Sequence, residues 1–160
     1  MPDPIRQKLV DAIKARFNAV TIAGGYNHDL ANRIYVWRDL SQGAASFKTA
    51  ELPALNIRDT DNNPEHFRLG NGFDNELLFE VDFITTTDPA DAWGRKLMAD
   101  VYRAIGQDPK WNVAGTNLAI DTLPRGDTFA VIHGKTRYAG GTVKFTIKHR
   151  TKSWKPDEQI

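Results

Sequence analysis

Cysteine is absent from the 160 residues, so no disulfide framework, thiolate metal site or thiol nucleophile is open to this chain. Long apolar runs are missing too: none approaches the ~20 residues that a membrane-spanning helix needs. The opening "MPDPIRQKL" has no signal-peptide apolar core. Neither sign of charge dominates, with 21 Lys and Arg against 20 Asp and Glu for a formal net charge of +1. A dedicated nucleic-acid binder carries a clear basic excess. No serine sits in a nucleophile elbow, and His28, His66, His133 and His149 are scattered without metal-ligand spacing. What remains, 41% hydrophobic and 26% charged residues, is ordinary for a soluble globular protein. The length suits one domain, about 15 Å in radius of gyration, that buries roughly two-thirds of its unfolded surface.

Two helices are legible. Asp3-Pro4 reads as a capping side chain followed by proline at the first helical position. Ile5, Leu9, Ile13 and Phe17 follow at four-residue spacing with Ala12 beside them, while Arg6, Lys8, Lys14 and Arg16 lie largely off that stripe. Asp88-Pro89 opens the second helix, whose stripe is Trp93, Leu97, Val101 and Ile105 with Met98 and Ala104 alongside; "IGQDPKW" ends it. Strands are expected at "RIYVWRD", "LPALNIRD", "ELLFEVDFITTT", "NLAIDTL", "DTFAVIH" and "TVKFTIKHR". "LSQGAASFKTAE" and "DTDNNPEHFRLGNGFDN" read as polar loops. "YAGGT" is a bulged or continuous strand, because a turn at Gly140-Gly141 would set Arg137 against Lys144 and His133 against Lys148. The fold class expected is α+β: one mostly antiparallel or mixed β-sheet with two main helices packed on it. A single domain over 1–150 is followed by a C-terminal tail, 151–160, either mobile or docked.

"ELLFEVDFITTT" carries Leu77, Phe79, Val81 and Phe83 on one face and Leu78, Glu80, Asp82 and Ile84 on the other. Paired carboxylates can be catalytic if their environments drive two pKa values apart. Here an antiparallel partner is at hand. Setting Phe83 against Phe145 brings Val81 to Ile147 and Glu80 to Lys148, with Lys144 diagonal to Asp82; slips by even numbers preserve the faces, odd ones do not. Lysines favour ionisation of both acids, so the pair is structural. The apolar flanks Leu78 and Ile84 leave room for an interface on that face.

Other candidates fail on spacing. Asp59, Asp61 and Asn63 begin like a calcium loop, but Pro64 and Gly70 stand where glycine and glutamate are required. "GNG" at 70–72 lacks a nucleotide loop's strand–turn–helix frame. No catalytic, cofactor-binding or metal-ligating residue is assigned. Seven cations from Lys135 to Lys155 are interrupted by no acid, which marks either a solvated strand face or a surface for an anionic partner. Phe47, Phe67 and Phe73 in polar stretches, and Trp154 in the tail, either fold back on the core or anchor a partner.

From residue 4 to 152 the chain resembles the tail-terminator (tail-completion) proteins of long-tailed bacteriophages. The resemblance rests on the order of "PIRQKLVDAIKARF", "GGYNHDLANRIYVWR", "LPALNIRD", "LLFEVDFITTTDPADAWGRKLMADVYRAI" and "GGTVKFTIKHRT". It implies a virion structural protein, not an enzyme. Such subunits form a ring, usually hexameric, at the head-proximal end of the tail tube. The ring ends tube polymerisation and joins the tail to the head connector, and DNA passes through its lumen. The partners implied are further copies of the chain, the tail tube protein and the connector or stopper, with no cofactor and no membrane. Assembly in the host bacterial cytoplasm and residence in the tail or neck of the virion follow. Phe47, Phe67, Phe73, Arg150, Lys152 and Trp154 are the candidate assembly contacts. A head-side connector, a small enzyme with an unrecognised pocket and a monomeric binding module are the alternatives.

Overall fold

A computed structural model describes residues 1–66 and 70–160; Phe67 lies outside them. Helix α1 spans Ile5–Asn18 and α2 Ala90–Gly106. The strands are β1 (Ile34–Val36), β2 (Ala54–His66), β3 (Gly72–Thr85), β4 (Asn112–Val113), β5 (Thr116–Asn117), β6 (Asp121–Ile132), β7 (Tyr138–Lys152) and β8 (Lys155–Gln159). The main sheet runs β1-β2-β3-β7-β6, with β8 on β7 where β6 has ended, and β4–β5 forms a separate small hairpin. Only β1–β2 is parallel, so the sheet is mixed and the α+β class holds. No described helix is long and apolar enough to cross a membrane.

Both helices cover one face of the sheet. Ile5, Leu9, Ile13 and Phe17 of α1 and Leu97, Val101 and Ile105 of α2 are buried against Leu77, Phe79, Val81, Phe83, Val143, Phe145 and Ile147. Alternation in β3 is complete from Leu77 to Thr85, every second residue being buried, as a strand with one covered face requires. Burial of each large side chain contributes about 1.5–3 kcal/mol, so this layer fixes which way the strands face.

The strand pairing differs from expectation in register. Phe145 lies opposite Phe79, and Phe83 opposite Gly141. The displacement is even, so the apolar face survives. Close backbone approaches accompany it at the start of β7. A Cβ at Gly140 would stand 2.5 Å from the Phe83 carbonyl oxygen, and one at Gly141 would overlap that of Thr128. The two glycines therefore let neighbouring backbones close in. The strand is continuous there, as the charge argument required.

Several expectations need correction. Pro4, not Asp3, is the α1 N-cap, and no side chain caps the helix; its extended ψ of 149° delays the helix to Ile5. "DTDNNPEH" is strand, not loop: β2 runs to His66 opposite Phe73, with a bulge between Asp59 and Asn62. "NLAIDTL" and "DTFAVIH" share one strand, β6, bulged between Pro124 and Asp127; Pro124 lacks a ladder N–H and Gly126 has φ +95°. Trp93 is only half-buried; Gly94 takes the sheet-facing position, because a Cβ there would reach Ala139 at 2.6 Å and Phe129 at 2.9 Å. The tail is neither free nor docked elsewhere, since β8 returns along β7 through a turn at Ser153 and Trp154. A boundary at 150 thus falls inside β7.

Candidate functional site

β3 and β7 extend beyond the helices, pairing to Gly72 opposite Lys152. On the helix-side face of this extension the core stripe changes character: Leu77 gives way to Asn75 and Phe73, and Ile147 to His149 and Thr151. With Asn62, His66 and Trp154 nearby, these residues line a groove of about 600 Å³. It is the place where the sheet outruns its helical cover.

The groove floor is polar and ordered. Asn75 Nδ2 donates to Thr151 Oγ1 at 3.1 Å, and Asn62 Nδ2 donates to Asn75 Oδ1 at 3.0 Å. His149 is 5% exposed, and its buried Nδ1 has no hydrogen-bond partner among the described residues. Burial pushes the His149 pKa down to about 4, and the Arg6 guanidinium adds to the shift. The imidazole is neutral at pH 7. Arg6 is itself fixed on Asp59 at 2.5 Å and on the Asp59 and Thr60 carbonyls.

The rim is aromatic. Phe73 meets His66 edge-on at 4.5 Å and Trp154 edge-on at 5.3 Å. Trp154 is 85% exposed and has φ +59°. That left-handed conformation costs a bulky residue about 1–2 kcal/mol, and glycine or asparagine fills such turns readily. The indole is thus held exposed at this cost, against a second aromatic.

The candidate contact residues thus separate. Phe73 and Trp154, far apart in sequence, come together. Phe47 does not join them: it is buried at 7% exposure against Leu52, Ala54 and Tyr35 on the opposite face of the sheet. Arg150 pairs with Asp74 at 2.6 Å, and Lys152 with Glu158 at 2.6 Å. These two cations therefore stabilise the extension itself. Much of the cationic run is neutralised this way, Lys144 by Glu80 and Lys155 by Glu158 included.

The carboxylates of β3 serve structure. Arg58, opposite Glu80 on β2, grips Asp82 through two bonds of 2.8 and 2.9 Å and Glu80 at 2.8 Å. A guanidinium from the neighbouring strand, and not lysine alone, pairs with both carboxylates. Ile84 on the same face is covered by the 40–52 segment through Phe47 and Leu52.

Sequence reasoning missed two buried groups. Asp100 is 0% exposed; it accepts from His28 Nδ1 at 2.8 Å and from Asn27 through backbone and side chain. Burial opposes its ionisation, but these bonds prevail and hold its pKa below the usual range. The only sequence signal was a carboxylate lying between Leu97 and Val101 on the apolar face. Trp111, also 0% exposed, donates to Thr122 Oγ1 at 2.8 Å, with the Arg16 guanidinium 3.7 Å from its ring centre. Among the described residues, no group of three or more His, Asp or Glu side chains could hold a metal ion.

Fold and groove together define an α+β protein with an aromatic-rimmed groove at one end of its main sheet. No protein-family model and no curated protein matches the chain.

Proposed function

We propose that the protein is a virion structural subunit that assembles head to tail into a ring at the head-proximal end of a phage tail tube. The ring ends tube polymerisation and receives the head connector. The sequence resemblance supplies this reading, and one observation carries it furthest: Phe73 and Trp154, both expected as contacts, meet at one accessible groove. β1 and β6, at the two ends of the main strand order, give the subunit different opposite sides. A heterologous contact between unlike sides closes into a ring when the rotation closes. A net charge of +1 suits a conduit that lets DNA slide rather than holding it.

The test is size measurement and negative-stain imaging of the purified protein, followed by imaging of tails assembled without it. Rings, and overlong tubes in the protein's absence, are the expected results. Tubes of normal length that fail to join heads would instead assign it to the head side of the joint. A monomer that leaves tails unchanged would overturn the reading.

A further inference from the structure

The groove also carries information about what enters it. Among the described residues, its charged lining residues are Arg6 and Lys155, its histidines are His66 and His149, and no Asp or Glu lines it. Both cations already have acidic partners, Asp59 and Glu158. Two part-compensated cations are too few for a polyanion, whose binding rests on neutralising several phosphates together. They suffice to orient a single carboxylate. Apart from Asn62, Asn75 and Thr151, whose side chains bond to one another, the rest of the lining, including Phe73, Leu77, Trp154 and Pro156, is apolar or aromatic, which suits a side chain such as Phe or Leu.

His149 points the same way independently. A buried polar atom without a partner costs about 1–3 kcal/mol, and native proteins rarely leave one so. Nδ1 of His149 is in that state at the groove wall among the described residues. A backbone N–H or C=O of a bound strand supplies the missing partner after a small rotation of the ring.

We propose that this groove binds an extended acidic segment of a partner protein, laying an apolar or aromatic side chain against Phe73 and Trp154 and a carboxylate two residues along, on the same face of the strand, toward Arg6 and Lys155. The proposal deepens the ring reading, on which it rests for the partner being a virion protein; the chemistry of the groove stands on its own.

The experiment uses the full chain and a capped octapeptide, Ser-Phe-Ser-Asp twice over, which sets Phe and Asp on one face of an extended strand; counterparts with Lys for Asp (Phe–Lys) and Ser for Phe (Ser–Asp) are the controls. Heteronuclear NMR follows the indole N–H of Trp154 and the ring of His149. The Phe–Asp peptide is expected to shift both saturably, and each control to bind at least roughly tenfold more weakly. Lys155→Glu and Trp154→Ala each lower the affinity roughly tenfold while an unchanged near-ultraviolet circular dichroism spectrum shows the fold intact. Equal binding of the Phe–Lys peptide overturns the proposal, as does absence of binding. So do groove signals that move on dilution alone, which would make a second copy of the chain the occupant. Peptide binding by a protein that forms no ring would sink the ring reading and leave the groove chemistry standing. Rings that ignore the peptide would do the reverse.

Discussion

Phe79 and Phe145 face each other across β3 and β7, ring centres 5.5 Å apart and planes 11° from parallel. Both are at most 1% exposed, so each packs against its partner and the two helices at once. Truncating either to alanine removes aromatic area and leaves a cavity, an expected loss of about 3–5 kcal/mol in urea unfolding. The double variant should lose less than the sum by about 0.5–1.5 kcal/mol, the ring–ring coupling. Strict additivity would mean that the stacked geometry contributes nothing beyond area.

That pairing shows where sequence reading reaches and where it stops. Alternation told which side chains of 77–85 and 143–147 point inward, because period two is a local property of a strand. It could not tell which residue lies opposite which: every even slip preserves the faces, and the observed register brings Gly140 and Gly141 into backbone contacts no periodicity records. The β2 extension was missed because Asn62, Asn63 and Pro64 have low strand propensity; β3 holds them there. Asp100 stayed hidden because its partners, Asn27 and His28, lie in a distant segment. Phe73 and Trp154 could be suspected singly, as aromatics in polar surroundings. Their meeting depends on a β7–β8 turn that the tail's charged composition conceals.

The glycine contacts can be tested directly. Gly141→Ala places a methyl group into the Thr128 carbonyl, where the obstacle is backbone and cannot swing aside. Overpacking usually costs about 1–3 kcal/mol, and this substitution is expected at or above the top of that range, or to abolish folding. Gly134→Ala is the control: its Cβ would meet nothing nearer than 3.6 Å, and its effect should lie within about 0.5 kcal/mol. Equal effects by thermal unfolding would refute the close-approach account.

His149 gives the stability a pH dependence of definite sign. Its folded pKa is pushed down to about 4 from an ordinary value of 6.5. The unfolded chain therefore takes up the proton first as pH falls. The His149 contribution to stability is constant above about pH 6.5, declines toward pH 4 and levels off below. A gap of roughly 2.5 pH units corresponds to about 3 kcal/mol. His149→Phe keeps the ring volume without the titration and should flatten the profile between pH 6.5 and 4. Below that window both proteins should still lose stability as Asp100, held below its usual range, takes up its proton. A variant profile that tracks wild type between pH 6.5 and 4 would assign the loss to other groups.

Trp154 offers the sharpest separation of stability from binding. Its φ of +59° and 85% exposure mean that the folded chain holds an indole in a conformation glycine adopts freely. Trp154→Gly removes that penalty, offset by the edge contact with Phe73 and by glycine's greater freedom when unfolded. The isolated protein is expected to be unchanged or more stable by up to about 1 kcal/mol. Assembly should move the other way, because an exposed aromatic anchor is worth about 2 kcal/mol or more when a partner covers it. Unfolding of the purified variant measures the first effect, and ring or tube binding by sedimentation measures the second. A variant that loses stability but assembles normally would show that Trp154 serves the β7–β8 turn and not a contact.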